Sequence, residues 1–115
     1  MSTRETEAQP DSLTELIEEG LAAAGILPTY ERVNQLNKQL RTEIDHLIPV
    51  VQKQADRLNR GTTAWYSRQR CVDDARRTLQ DGLGHGLRSA ALQVRELARQ
   101  CGALARYADS QGDGR

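Results

Sequence analysis

The chain has 115 residues with 16 basic and 16 acidic side chains, so its formal net charge is zero. That balance lacks the strongly basic composition of a dedicated nucleic-acid-binding protein, and the length fits a single domain. With two cysteines and no apolar run that could serve as a signal segment or a membrane span, we expect a reduced, cytoplasmic protein.

Large aliphatic residues are scarce in this chain, since leucine, isoleucine and valine together number 23 and phenylalanine is absent. A composition of this kind lies at the margin at which a chain has enough apolar area to fold. Burial of apolar surface against a second subunit would relieve the shortage. We therefore predict a homodimer or a complex with a partner protein.

Charge is divided unevenly along the chain. Residues 1–59 carry 6 basic and 10 acidic side chains, whereas residues 60–106 carry 9 basic and 4 acidic ones. The basic half could bind phosphate groups, but the protein as a whole is neutral and so lacks the charge of a dedicated nucleic-acid-binding protein. We expect the two halves to face each other.

The first part of the sequence predicts a flexible leader followed by a short helix. Residues 1–10 are polar and aperiodic. Residues Ser12 to Glu15 fit a capping box, and apolar residues from Leu13 to Ala24 recur at helical spacing. The helix should end near Gly25. Because Gly20 interrupts it, we expect it to pack less firmly than the other helices.

A much longer helical pattern runs from Pro28 to Leu58. Pro28 suits the first turn of a helix, whereas Pro49 falls inside the pattern and should kink the helix or split it in two. The predicted inner stripe consists of Val33, Leu36, Leu40, Ile44, Leu47, Val51, Ala55 and Leu58.

The third pattern begins at Thr62 and Thr63, which are both N-cap candidates. It ends before Gly82, which we predict to adopt a left-handed conformation. The predicted inner stripe consists of Trp65, Arg68, Val72, Ala75 and Leu79.

The fourth pattern is the clearest of the four, because small and apolar residues recur at three- and four-residue steps without a break. Its stripe consists of Leu87, Ala90, Ala91, Val94, Leu97, Ala98, Cys101, Leu104, Ala105 and Ala108. The alanines make this face shallow, so a neighbouring backbone can approach closely. Leu92 lies off the stripe, where it is exposed or meets a second subunit. Residues 110–115 are predicted to be a flexible tail.

Together the four patterns predict an all-α fold, an antiparallel helical bundle of three long helices plus a short N-terminal helix, in one domain of residues 11–109. If the chain turns near Gly84, Cys71 lies opposite residues 97–99, about one helical turn from Cys101. A disulfide is then geometrically marginal, and we expect two buried free thiols.

Two arginines of the third helix are candidates for a site. Arg68 and Arg76 lie on its inner side, close to Trp65 and Tyr66, and a guanidinium beside packed surface needs a partner. In an antiparallel hairpin formed with the preceding helix, Glu43 falls within one turn of Arg76 and can pair with it. In the alternative, these side chains line a groove that binds a small anionic ligand, a carboxylate or phosphate beside an apolar group.

Other constellations do not make a convincing reactive site. Glu43 and His46 have the Glu-x-x-His spacing of di-iron bundles, but His46 points away from the core direction. The turn from Gly82 to Gly86 lacks the preceding strand and the spacing of a nucleotide-binding loop. Asp73 and Asp74 project from the outer side of their helix. We therefore predict no metal site, no cofactor and no catalytic residue.

The second half of the chain carries a resemblance to a family. The residues concerned are Trp65, Arg70 to Val72, Ala75 to Leu79, Gly84 to Leu87, Ala90, Ala91, Leu97 to Arg99 and Ala103 to Tyr107. The region from Asp45 to Asp109 resembles small actinobacterial proteins of uncharacterised function that are labelled as associated with natural-product biosynthesis. The resemblance implies a genomic setting and supplies no reaction or catalytic residue.

We predict a non-enzymatic helical interaction or accessory protein, with regulation as one form of that role, linked to actinobacterial natural-product biosynthesis. One alternative is a small binding module for an anionic or aromatic pathway intermediate. The other is a cofactor-free accessory enzyme, which the absence of a catalytic constellation disfavours.

Overall fold

The computed structural model describes residues 13–25, 27–82 and 86–109, and these form four helices and no strands. They are α1 (residues 13–22), α2 (Tyr30–Asp56), α3 (Thr63–Gln80) and α4 (Gly86–Asp109). The predicted all-α bundle of three long helices plus a short N-terminal helix is thus confirmed. The leader at 1–10, the capping residue Ser12, His85 and the tail at 110–115 lie outside the described residues.

Two threonines set where α2 and α3 begin. The Thr29 hydroxyl accepts a hydrogen bond from the backbone N–H of Arg32 at 3.1 Å, so Pro28 precedes the N-cap and does not occupy the first turn. The Thr62 hydroxyl accepts from the N–H of Trp65 at 3.2 Å, as the sequence predicts.

The turns that flank α3 use different glycines from the one predicted. Gly61 and Gly86 are the described glycines with positive φ, at 89° and 81°. The prediction that Gly82 is left-handed is wrong, because Gly82 does not have a positive φ. The helix is capped by Asp81, whose backbone is extended. The guanidinium of Arg41 on α2 donates to the carbonyl oxygens of Leu79 (2.6 Å) and Asp81. These bonds satisfy carbonyls at the end of α3 and hold it against α2.

Helix α2 is continuous through Pro49, so the proline does not split it. Pro49 is exposed, and the missing N–H and the pyrrolidine ring therefore fall on the solvent side. Ile48 is buried where the sequence pattern selected Leu47, which is half-buried, and Leu58 lies beyond the helix end. The buried residues of α2 are Val33, Leu36, Leu40, Ile44, Ile48, Val51, Gln54 and Ala55.

Helix α4 packs against both α2 and α3 and supplies the small residues of the core. Its fully buried residues match the predicted stripe: Ala90, Ala91, Val94, Leu97, Ala98, Cys101 and Leu104. Leu92 is 49% exposed, which agrees with its position off the stripe. The hydrogen bond from Gln54 Nε2 to the carbonyl of Tyr107 places the carboxy-terminal ends of α2 and α4 side by side.

Helix α1 approaches its neighbours closely at Gly20, the residue at which the sequence led us to expect weaker packing. A Cβ atom at Gly20 would lie 2.8 Å from Ala98 Cβ and 3.1 Å from Leu40 Cδ1. The absent side chain is therefore what lets α1 lie between α2 and α4. Glu19 accepts hydrogen bonds from Arg32 at 2.7 and 2.6 Å, and this bonding lowers the pKa of Glu19. Because the pair is exposed, it contributes only about 0.2–1 kcal/mol.

Candidate functional site

The residues predicted for a site are spread over two surfaces. Trp65, Arg68 and Glu43 are half-buried, whereas Tyr66 and Arg76 are exposed. The rings of Trp65 and Tyr66 are neighbours, with centroids 6.3 Å apart and planes tilted by 45°.

Arg76 and Glu43 do not form the predicted ion pair in the part of the chain that the structure describes. The inner face of α3 contains Val72, Ala75 and Thr78, so it is rotated away from Arg76. Glu43 lies on the side of α2 that faces α4, because it is about three helical turns before Gln54, which bonds to the Tyr107 carbonyl of α4.

Arg68 instead belongs to a polar cluster that joins three helices. Its Nε donates to Gln54 Oε1 on α2 at 3.0 Å, and its guanidinium lies 4.9 Å from the ring centroid of Tyr107 on α4. Gln54 Nε2 donates to the carbonyl oxygen of Tyr107 at 2.9 Å. The buried Gln54 side chain thus fixes both the arginine and the end of α4.

A groove of about 880 Å³ lies along the outer side of α4, between α1 and α3. Its apolar surface consists of small residues from α4 and two larger side chains from α1: Ile17, Leu21, Gly102 and Ala103, with the buried Ala98 beneath them. Gly102 faces Ile17, and a Cβ there would be 3.7 Å from Ile17 Cγ2, an ordinary van der Waals distance. The small residues keep the floor low, and the groove stays open to solvent.

The rim of this groove is basic. Among the described residues, Arg68 and Arg70 of α3 and Arg99 and Arg106 of α4 line it, together with one carboxylate, that of Asp74. Arg70, Arg99 and Arg106 are exposed, so their guanidinium groups are hydrated and reach the opening of the groove, whereas Arg68 is half-buried. The rim therefore carries an excess of positive charge above an apolar floor.

The acidic half of the chain does not neutralise this rim in the described residues. The three salt bridges there join Arg32 to Glu19, Arg77 to Asp74 and Arg99 to Glu96, and each lies within one half of the sequence. The two halves do face each other, as expected, because α2 packs against α3 and α4, but none of these three ion pairs joins one half to the other. The ion pair between Arg99 and Glu96 is 3.4 Å long and exposed, so an anionic ligand can replace the Glu96 carboxylate as the partner of Arg99.

The two cysteines are free and occupy different environments. Cys71 is half-buried and lines the groove, whereas Cys101 is fully buried. Burial raises the pKa of Cys71, with a smaller rise from Asp74 and an opposing effect of Arg106. Burial, followed by the charge of Glu43, raises the pKa of Cys101 to about 12. The prediction of two buried free thiols is confirmed for Cys101, whereas Cys71 is free but only half-buried.

These environments predict a large difference in thiol reactivity. We expect iodoacetamide to alkylate Cys71 in the native protein and to modify Cys101 only after unfolding. Because the thiolate reacts and the pKa of Cys71 is raised, its rate should increase about tenfold per pH unit through pH 8 to 9. Peptide mass spectrometry of quenched samples measures both sites. Equal labelling of the two cysteines, or a rate that levels off below pH 8, would contradict this assignment.

Residues with metal-binding or acid–base chemistry are dispersed. Within the described ranges, no group of three or more His, Cys, Asp or Glu residues could hold a metal ion. His46 is exposed, Asp73 accepts from Gln69 at 3.1 Å, and Asp74 pairs with Arg77. None of the described helices has a stretch apolar and long enough to cross a membrane.

Several residues in or beside the groove were not predicted as site residues, although the sequence holds a signal for some of them. Gln54 is a polar residue beside Val51 and Ala55 on an apolar stripe, which marks a buried hydrogen-bonding group. Arg99 and Arg106 are seven residues apart and therefore share one side of α4. Nothing in the sequence shows that α1 and α3 flank that side.

Comparison with known proteins gives a family and no function. No curated protein and no solved structure matches the chain. Residues 11–113 match a family of unknown function (DUF6415), which covers all four helices. The chain therefore belongs to this family of unknown function.

Proposed function

We propose that this protein is a non-enzymatic accessory protein that acts by binding, and that its groove between α1, α3 and α4 holds an anionic, partly apolar ligand. The observation that carries the proposal is the combination of an apolar floor with four arginines and one carboxylate around it in the part of the chain that the structure describes. The shared chemistry of the ligand is a carboxylate, sulfonate or phosphate next to an apolar group.

Guanidinium groups suit this task because their N–H donors match the oxygens of carboxylates and phosphates. Charge alone gives weak binding at an exposed surface, so the floor must contribute through burial of the ligand's apolar part. Leu21, which is 42% exposed in the groove, supplies accessible apolar area beside the arginines.

The biological role follows from the resemblance of residues 45–109 and stays a proposal. An accessory or regulatory protein of natural-product biosynthesis would use such a groove to bind a protein partner. A second candidate is a binding module for an anionic aromatic intermediate of the pathway, which the stacking of Arg68 on the Tyr107 ring favours. Both candidates require the groove to bind anions.

The test uses 8-anilinonaphthalene-1-sulfonate (ANS), which combines an anion with aromatic rings. We expect saturable ANS fluorescence with the folded protein and protection of Cys71 from alkylation. Replacing Arg99 and Arg106 together by alanine should weaken ANS binding about tenfold, since two exposed charge contacts are together worth about 1.4 kcal/mol.

The matched control removes two arginines outside the groove, Arg57 and Arg60, which are exposed at the turn between α2 and α3. This variant has the same net charge as the first, so a general charge effect would weaken ANS binding equally in both. Thermal unfolding followed by circular dichroism establishes that each variant is folded. Absence of ANS binding to the wild type, or equal losses in the two variants, would overturn the proposal.

A further inference from the structure

The outer side of α4 carries a charged stripe that is longer than the groove. Arg88, Leu92, Arg95, Arg99 and Arg106 are separated by four, three, four and seven residues, which places them on one side of the helix. All five are exposed, and Leu92 is 49% exposed. From Arg88 to Arg106 the stripe extends about 27 Å along the helix axis.

Only the carboxy-terminal part of this stripe lies in the groove. Arg99 and Arg106 line the groove, whereas Arg88, Leu92 and Arg95 continue along α4 beyond it. A drug-sized molecule that fills a pocket of this volume would not reach Arg88. The basic surface therefore matches an elongated ligand better than a compact one.

Apolar side chains accompany the arginines along this surface. The Cβ position of Gly20 is close to both Ala98 and Val94, so Leu21 of α1 lies beside the same segment of α4. Leu21 and Leu92 are among the most exposed large apolar residues described, at 42% and 49%. An apolar centre with charged residues around it is the usual composition of a protein interface.

Resting on the proposed function, we propose that the occupant of this surface is an acidic amphipathic α-helix of a partner protein. It lies along α4 between α1 and α3, with its apolar side chains against Leu21 and Leu92. Carboxylates at four- and seven-residue steps on such a helix rise by about 6 and 10.5 Å, which matches the spacing of Arg88, Arg95, Arg99 and Arg106. Charge complementarity selects an acidic partner over a neutral one.

Two other occupants fit less well. A second copy that presented the same stripe would place four arginines against four arginines across a two-fold axis. A duplex nucleic acid would present its phosphate backbone to the exposed Leu21 and Leu92 and leave them without an apolar partner, on a protein whose net charge is zero.

The experiment uses a synthetic helix of about 20 residues, long enough to cover the stripe, with glutamates at four- and seven-residue steps beside a row of leucines. A scrambled peptide has the same composition and no apolar side, and a third peptide has glutamine at each glutamate. We expect the designed helix to bind, by fluorescence anisotropy, at least about tenfold more tightly than either control peptide. The glutamine peptide tests the charges without any change to the protein.

Replacing Arg88 and Arg95 by glutamate separates this inference from the proposed function. Both residues are exposed and lie outside the groove, so ANS binding should persist while binding of the designed helix falls at least about tenfold. The Arg57→Glu/Arg60→Glu variant has the same charge and should retain most of the helix affinity. If ANS binds and the helix does not, the helix proposal falls and the groove proposal stands.

Other outcomes also overturn the helix proposal. Equal affinity for the designed and scrambled peptides would show that the surface attracts any acidic peptide through charge and does not recognise an amphipathic helix. A wild-type dimer in sedimentation equilibrium that Arg88→Glu/Arg95→Glu dissociates would make the stripe an interface between copies of this chain. Tighter binding of a 20-nucleotide duplex than of the designed helix would identify a nucleic-acid surface.

Discussion

Replacement of Gly20 by alanine is expected to destabilise the protein, although alanine is the better helix former. The new Cβ would lie 2.8 Å from Ala98 Cβ, and neither atom can move without its helix backbone. Overpacking of this kind costs about 1–3 kcal/mol, against a gain of up to about 1 kcal/mol from helix propensity. We expect a net loss of up to about 2 kcal/mol in the free energy of unfolding, measured by urea denaturation.

The same substitution at Gly102 is the matched control, because this glycine also lies between α1 and α4. A Cβ at Gly102 would be 3.7 Å from Ile17 Cγ2, an ordinary contact, so Gly102→Ala should stabilise the protein by up to about 1 kcal/mol. Adding Ala98→Gly to Gly20→Ala should restore part of the lost stability. A stabilising Gly20→Ala, or no rescue by Ala98→Gly, would show that α1 does not depend on this close approach.

Gly20 also illustrates what the sequence could not reveal. Helix propensity is a local property, and by that criterion a glycine weakens α1. The close approach of α1 to Ala98 and Leu40 is a tertiary contact between residues far apart in sequence. A single sequence therefore cannot distinguish a glycine that loosens a helix from one that lets it pack.

Helix α4 was predictable because its small residues repeat without interruption, and its seven buried residues all belong to the predicted stripe. The stripe of α3 was less well determined. Trp65 and Leu79 are half-buried, whereas Thr78 is buried with its hydroxyl bonded to the Asp74 carbonyl at 3.0 Å. A threonine whose hydroxyl bonds to its own helix can be buried. Because Thr78 is polar, the sequence analysis left it off the inner face of α3 and therefore placed Arg76 too close to that face.

The site was only partly predictable for a related reason. The inward position of Arg68 follows from helical periodicity, and the sequence thereby indicated one wall of the groove. Its partners, Gln54 and Tyr107, come from two other helices and depend on how the three helix ends meet. The groove exists only because α1 and α3 leave one side of α4 uncovered, which is a property of the assembled bundle.

Removal of the Gln54 side chain is the second substitution for which we expect a large effect. Gln54→Ala removes the oxygen that accepts from Arg68 Nε and the amide that donates to the Tyr107 carbonyl. Gln54 is buried, so water has little access to take the place of these two hydrogen bonds. Loss of partners by buried polar groups costs about 1–3 kcal/mol. The free energy of unfolding should fall by that amount in urea denaturation.

Gln52 provides the control two residues away on the same helix. Its amide bonds to Gln69 and Asp56 at the protein surface, so Gln52→Ala should cost no more than about 0.5 kcal/mol. The two variants should also differ in ANS binding. Gln54 holds Arg68 and Tyr107, which line the groove, whereas Gln52 bonds to Asp56 and Gln69, which do not line it.

Gln54→Leu separates hydrogen bonding from packing. Leucine fills nearly the same volume as glutamine but has no polar atom, so it leaves Arg68 and the Tyr107 carbonyl without Gln54 while avoiding a large cavity. If the hydrogen bonds matter most, the leucine and alanine variants should lose similar stability and both should bind ANS more weakly. If Gln54→Leu is as stable as the wild type and binds ANS equally well, Gln54 only fills space, and Arg68 is held in the groove by its stacking on Tyr107.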